Sequence, residues 1–121
     1  MRNYRRFSWP MQQQEKWEPS EGWTLDEGLA FVRKLEACVK SAGYHCALAG
    51  SVMYRGDSTK DVDVIVYPAK TRLVNESALV KSLAAAGLEI ERYAAYGHEN
   101  DTKDVRVYRY GNKRVDILRL Q

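Results

Sequence analysis

Long apolar runs are missing from this sequence, and so is any large excess of one charge. No stretch approaches the roughly 20 apolar residues of a membrane-spanning helix, and the N-terminus lacks the apolar segment of a signal peptide. A cytoplasmic protein without membrane association is the expectation. Cysteine and histidine are scarce: Cys38, Cys46, His45 and His98 are the whole supply, with no C-x-x-C pair. That is too few soft ligands, badly spaced, for a zinc site, and the cysteines read as reduced, buried small hydrophobes. Lys and Arg number 19 against 16 Asp and Glu, a net charge of +3. So small an excess permits a phosphate-bearing ligand without demanding nucleic acid. Internal repeats are absent too, and the Gln12–Gln14 triplet is the only low-complexity tract.

What is present fits one domain of 121 residues with an ordinary apolar share of 45%. Residues 1–23 read as an N-terminal arm and 24–121 as the domain. The arm opens with a basic Met1–Arg6 and is interrupted by Pro10 and Pro19. It also carries Trp9, Trp17 and Trp23, which either pack onto the domain or dock a partner or a base. Thr24 followed by Glu27 is a capping box, and Leu25, Leu29, Val32, Leu35 and Val39 make one apolar stripe of a helix that Gly43 ends. His45–Ala49 predicts a strand, Ser51–Tyr54 a brief helical turn and Asp61–Tyr67 a second strand, covered on both faces. After Pro68, a helix starting at Thr71 or Asn75 runs to Ala86, with Leu79, Val80, Leu83 and Ala86 inward. A strand at Leu88–Ile90 and a polar loop at Gly97–Lys103 follow. Val105–Tyr110 and Arg114–Leu120 then read as a hairpin. The order predicts an α+β fold, a mixed β-sheet backed by helices.

Chemistry concentrates in three places. Gly50-Ser51 stands where a strand turns into a helix start, and glycine lets the backbone approach a ligand such as phosphate. Asp61 and Asp63, two apart on a strand, point to one face, where like charges repel unless a cation sits between them. Carboxylate oxygens suit Mg²⁺ or Mn²⁺, although two surface aspartates would show the same pattern. Asp116, flanked by Val115 and Ile117, joins them if its strand neighbours Asp61–Tyr67. Two ions roughly 3.5–4 Å apart could then bridge the carboxylates and a triphosphate, with Asp116 also placed to take a proton. The hairpin arginines Arg106, Arg109, Arg114 and Arg119 read either as a basic face or as scattered charge. His98, Asp101 and Lys103 sit in a loop that either closes over a substrate or is plain surface.

Gly50-Ser51, Arg55-Gly56, Asp61-Val62-Asp63 and Asp116 together resemble the nucleotidyltransferase fold of the DNA polymerase beta superfamily, in its minimal, stand-alone form. The resemblance spans about residues 24–120. It implies transfer of a nucleoside monophosphate from an NTP, such as ATP, to a hydroxyl of a protein, RNA end or small molecule, with pyrophosphate released. By the same resemblance Asp61, Asp63 and Asp116 hold Mg²⁺ or Mn²⁺ and act in catalysis. Gly50 and Ser51 contact the nucleotide, and Arg55 and Lys60 are further candidates. Met53 and Lys60 depart from the usual small residue and Ser or Thr at their positions, and Met53 is expected to fill the core. Longer relatives carry a further helical domain that grips base and acceptor. Here the arm, a second copy or a partner protein is expected to do so, or the protein does without it. The alternative is a nucleotide-binding or regulatory module of the same fold, without turnover.

Overall fold

A computed structural model describes residues 17–69, 74–93 and 104–120. Met1–Arg6, Trp9, Thr71 and the loop bearing His98, Asp101 and Lys103 lie outside them. A two-residue strand, β1 (Trp23–Thr24), leads into helix α1 (Leu25–Val39). The predicted capping box is formed: the Thr24 hydroxyl accepts the Glu27 N–H at 3.1 Å, and the Glu27 carboxylate accepts the Thr24 N–H at 2.9 Å. Gly28, Phe31, Leu35 and Val39 face the core. Leu29, expected in the stripe, is instead 38% exposed. The helix is rolled toward Gly28, where an added Cβ would lie 3.0 Å from Val52 and 3.4 Å from Leu48. Close approach at the glycine turns the next residue, about 100° further round, toward solvent.

A single 3₁₀ turn and Gly43, at φ 91°, reverse the chain into β2 (Tyr44–Ala49). Helix α2 (Gly50–Arg55), the short strand β3 (Asp57–Ser58) and the long strand β4 (Asp61–Pro68) follow. In α2, Val52 takes the core position and Met53 is 57% exposed, so Met53 does not fill the core as expected. Helix α3 (Glu76–Ala85) is capped by Asn75, whose side chain accepts the Ala78 N–H at 3.0 Å. Leu79, Leu83 and Ala86 are buried, whereas Val80, expected inward, is 55% exposed. Leu79, Leu83 and Ala86 complete a stripe at spacings of four and three, which leaves Val80 off it. Strands β5 (Glu89–Tyr93), β6 (Asp104–Tyr110) and β7 (Lys113–Arg119) complete the chain, the last two forming the hairpin.

The main sheet has the order β2-β4-β7-β6-β5, with β4 and β7 parallel and the remaining pairs antiparallel. A mixed sheet backed by helices is thus the α+β fold that the element order predicts. Val62, Val64 and Val66 on β4 are fully buried in one core with residues of α1 and α3. The intervening Asp61, Asp63 and Ile65 are only half-buried and Tyr67 is exposed, so β4 is covered on one face, not both. The reason is topological: α1 and α3 pack on the same side and against each other. Cys38 and Cys46 are free and half-buried rather than buried, and burial pushes the Cys46 thiol up to about 12. No helix among the described residues is long and apolar enough to cross a membrane.

The end of the proposed arm is stitched to the hairpin. Trp23 is 3% exposed, its ring 5.4 Å from Phe31 and 6.1 Å from Tyr110. Its indole N–H donates to the Arg114 carbonyl at 2.9 Å. Ser20 and Glu21 donate their N–H groups to the Asn112 carbonyl at 3.1 and 3.2 Å, and the Lys113 ammonium donates to the Gly22 carbonyl. Trp17 lies 5.0 Å from the Arg109 guanidinium.

Candidate active site

Strand alternation puts Asp61 and Asp63 on the face of β4 turned away from the helices. The parallel pairing of β4 with β7 sets Asp63 opposite Asp116, and Asp61 opposite Arg114. On its other side, Asp63 is paired with Ala49, the residue before the Gly50 turn. One oxygen from each of Asp61, Asp63 and Asp116 lies within 4.8 Å of the others. The third carboxylate therefore joins the first two on one face, through a strand pairing between residues far apart in the chain.

Burial, and then the charges of Asp63 and Asp116, push the Asp61 carboxyl up to about 6, against the pull of Arg114. Asp63 is raised as well, by burial and by Asp116, with Arg114 and Lys60 drawing it back. Both groups thus carry their negative charge at a cost, which the nearby positive charge offsets only in part. The positive charge already there comes from Arg114. Its Nε and Nη2 donate to the two oxygens of Asp116 at 2.7 and 3.0 Å, and its Nε lies 3.8 Å from Asp61. Arg114 precedes Asp116 by two residues, so the alternation that pairs Asp61 with Asp63 also puts this arginine on the carboxylate face. Its charge alone did not single it out among the hairpin arginines.

Those arginines form no single basic face. Arg106 pairs with Asp104 at 3.1 Å, Arg109 with Glu91 at 2.6 Å and Arg119 with Glu76 at 3.2 Å. Arg106 and Arg119 share the helix side of the sheet, and Arg109 and Arg114 the other, as the hairpin register requires.

Gly50 meets the carboxylates directly. It has φ +70°, and a Cβ on it would overlap the Asp63 carboxylate. Ser51 follows in the first turn of α2, half-buried. Arg55 is exposed in the last turn of α2, about 7 Å along the axis from Gly50, and forms no ion pair among the described residues. Lys60 is exposed in the turn just before Asp61. That turn is held by Ser58, whose buried hydroxyl accepts the N–H groups of Lys60 and Asp61, each at 3.1 Å. Ser58 carried no signal beyond its place in a turn. A cavity of about 380 Å³ opens beside the carboxylates, lined by Ala49, Gly50, Asp63 and Asp116 and by the apolar Ile65, Val105 and Leu118.

No family model and no curated protein sequence matches this chain. The fold does match solved structures of Leishmania infantum polymerase beta. With the ternary P/T complex the TM-score is 0.56 at 18% identity, over 84% of this chain and 44% of that one. With the ternary gap complex the TM-score is 0.55 at 20% identity, over 83% and 38%. The chain spans less than half the length of these polymerases. Its fold is a polymerase beta-like nucleotidyltransferase fold.

Proposed function

We propose that this chain is a metal-dependent nucleotidyltransferase, moving a nucleoside monophosphate from an NTP to a hydroxyl acceptor. The observation that carries the reading is the meeting of Asp61, Asp63 and Asp116 within 4.8 Å on the open face of the sheet. The donor set fits Mg²⁺ or Mn²⁺: hard carboxylate oxygens, with the Asp61 and Asp63 carboxyls raised by burial and by neighbouring like charge. When bound there, divalent ions supply positive charge against the triphosphate and acidify the attacking hydroxyl.

The chain's own residues take the remaining roles. Asp116 accepts the proton of the acceptor hydroxyl at a carboxylate oxygen. The acceptor oxygen bonds to the α-phosphorus as the bond to the bridging β-oxygen breaks, and pyrophosphate leaves with the electron pair. Gly50, having no side chain, leaves its backbone open to the phosphates, and the Ser51 hydroxyl donates to them. Lys60, whose charge acts on Asp63, and Arg55 add positive charge for the phosphates. The acceptor is a hydroxyl of a protein, an RNA end or a small molecule. The cytoplasm, with its NTP supply, is the compartment proposed.

The test is incubation with α-labelled NTPs and Mg²⁺ or Mn²⁺ across candidate acceptors, comparing wild type with Asp61→Asn. Label transfer and pyrophosphate release that vanish in Asp61→Asn support the enzyme. NTP binding that needs the metal yet never leads to transfer would overturn turnover and leave a binding module.

A further inference from the structure

The carboxylate cluster already contains a cation, and it belongs to the chain. Arg114 is 13% exposed at its side chain, spans both oxygens of Asp116 and reaches within 3.8 Å of Asp61. Its backbone is pinned, because β7 pairs it with Asp61 and the Trp23 indole holds its carbonyl. A planar fork on one carboxylate fixes that group's orientation as well as supplying charge.

We propose that Arg114 is a built-in counter-ion of the cluster. It holds Asp116 and Asp61 together before a divalent ion arrives, and it competes with that ion once it enters. This rests on the metal-dependent reading of the site. Two consequences of opposite sign follow. Without metal, the guanidinium offsets the repulsion that burdens Asp61 and Asp63. With metal, its charge would share the same carboxylates as a doubly charged ion and so weaken binding. A residue that merely shaped the site would act in one direction only, lowering stability and metal affinity together.

The experiment measures thermal unfolding in EDTA, and Mg²⁺ and Mn²⁺ affinity by calorimetry, for wild type, Arg114→Gln and Arg114→Lys. Arg114→Gln is expected to unfold several degrees lower in EDTA, yet to bind the divalent ion on the order of tenfold more tightly. Arg114→Lys, which keeps a point charge but loses the fork, is expected to fall between. In the wild-type protein, the assigned Arg114 Nε–H resonance should shift as the ion saturates, a readout that does not require the variants to fold. Equal or weaker divalent affinity in Arg114→Gln, or an unmoved Nε–H at saturation, overturns the counter-ion role and leaves the metal site standing. No divalent binding by any of the proteins overturns both.

Discussion

The Cα of Gly50 lies against the Asp63 carboxylate, with no room for a methyl group between them. The pairing of Ala49 with Asp63 brings the end of β2 level with the carboxylate, and Gly50 then turns away at φ +70°. The first residue of α2 and one of the proposed metal ligands thus depend on each other. Any side chain at Gly50 would push on the carboxylate itself.

Gly50→Ala should therefore cost more than backbone strain alone. Gly56 provides the reference: it sits at φ +89° with nothing within 4 Å of an added Cβ. Gly56→Ala is expected to lose about 1 kcal/mol, from the left-handed backbone only. Gly50→Ala adds overlap with Asp63, raising the loss to about 2–3 kcal/mol. Urea unfolding of both variants in EDTA measures the difference. Nucleotidyl transfer should fail only in Gly50→Ala.

Asp63 and Asp116 should respond oppositely to neutralisation. Asp63 bears its charge against burial and the charge of Asp116, so Asp63→Asn should raise the melting temperature in EDTA at neutral pH by a few degrees. Asp116 receives the Arg114 fork at 2.7 and 3.0 Å. Asp116→Asn breaks that pair and should cost about 1–3 kcal/mol in chemical denaturation. Both variants are expected to lose transfer activity by at least about a hundredfold, separating the stability of the site from its chemistry.

The local features were the legible ones. The Thr24–Glu27 cap needs only residues three apart, and Asp61, Asp63 and Asp116 announce themselves as charges embedded in branched aliphatics. What escaped depends on distant partners. Leu29, Val80 and Met53 lie on helices whose roll is decided by the surface beneath them; for α1 that surface is Leu48 and Val52 against Gly28. The open face of β4 follows from both long helices packing on one side, which no run of valines reveals. Trp23 was placed in the arm because proline and polar residues precede it. Its packing onto the domain is one of the two readings the sequence leaves open, and Phe31 and Tyr110 elsewhere in the chain decide it. Arg114 was within reach, since it shares the two-residue spacing that marks Asp61 and Asp63.

The raised Asp61 carboxyl sets a pH window. Its folded value is about 6, against about 3.9 in an unfolded chain. Between these values the native protein holds more proton than the unfolded one, so stability from this group falls as pH rises and is fully lost above about pH 6. Glu36 works the other way: burial raises it, but His45 and the Cys46 N–H hold it below its usual value, so its contribution fades toward acid pH. Melting temperature against pH in EDTA should therefore be read as wild type minus Asp61→Asn. That difference should decline from about pH 4 to about pH 6 and be removed by saturating Mg²⁺.

Ser58 links the N-terminal segment to the carboxylates, and its substitution tests that link. The serine pairs with Trp23 across β1 and β3, and its hydroxyl accepts the N–H groups of Lys60 and Asp61. Ser58→Ala leaves both N–H groups short of that acceptor where β4 begins, a loss of about 1–2 kcal/mol in urea unfolding. The backbone it frees carries Asp61, so the Mg²⁺ concentration needed for half-maximal stabilisation should rise as well. Ser58→Thr keeps the acceptor oxygen and should restore the metal response if its extra methyl is accommodated. A Ser58→Ala protein that loses stability but keeps its metal midpoint would show that the hydroxyl supports the turn without positioning Asp61.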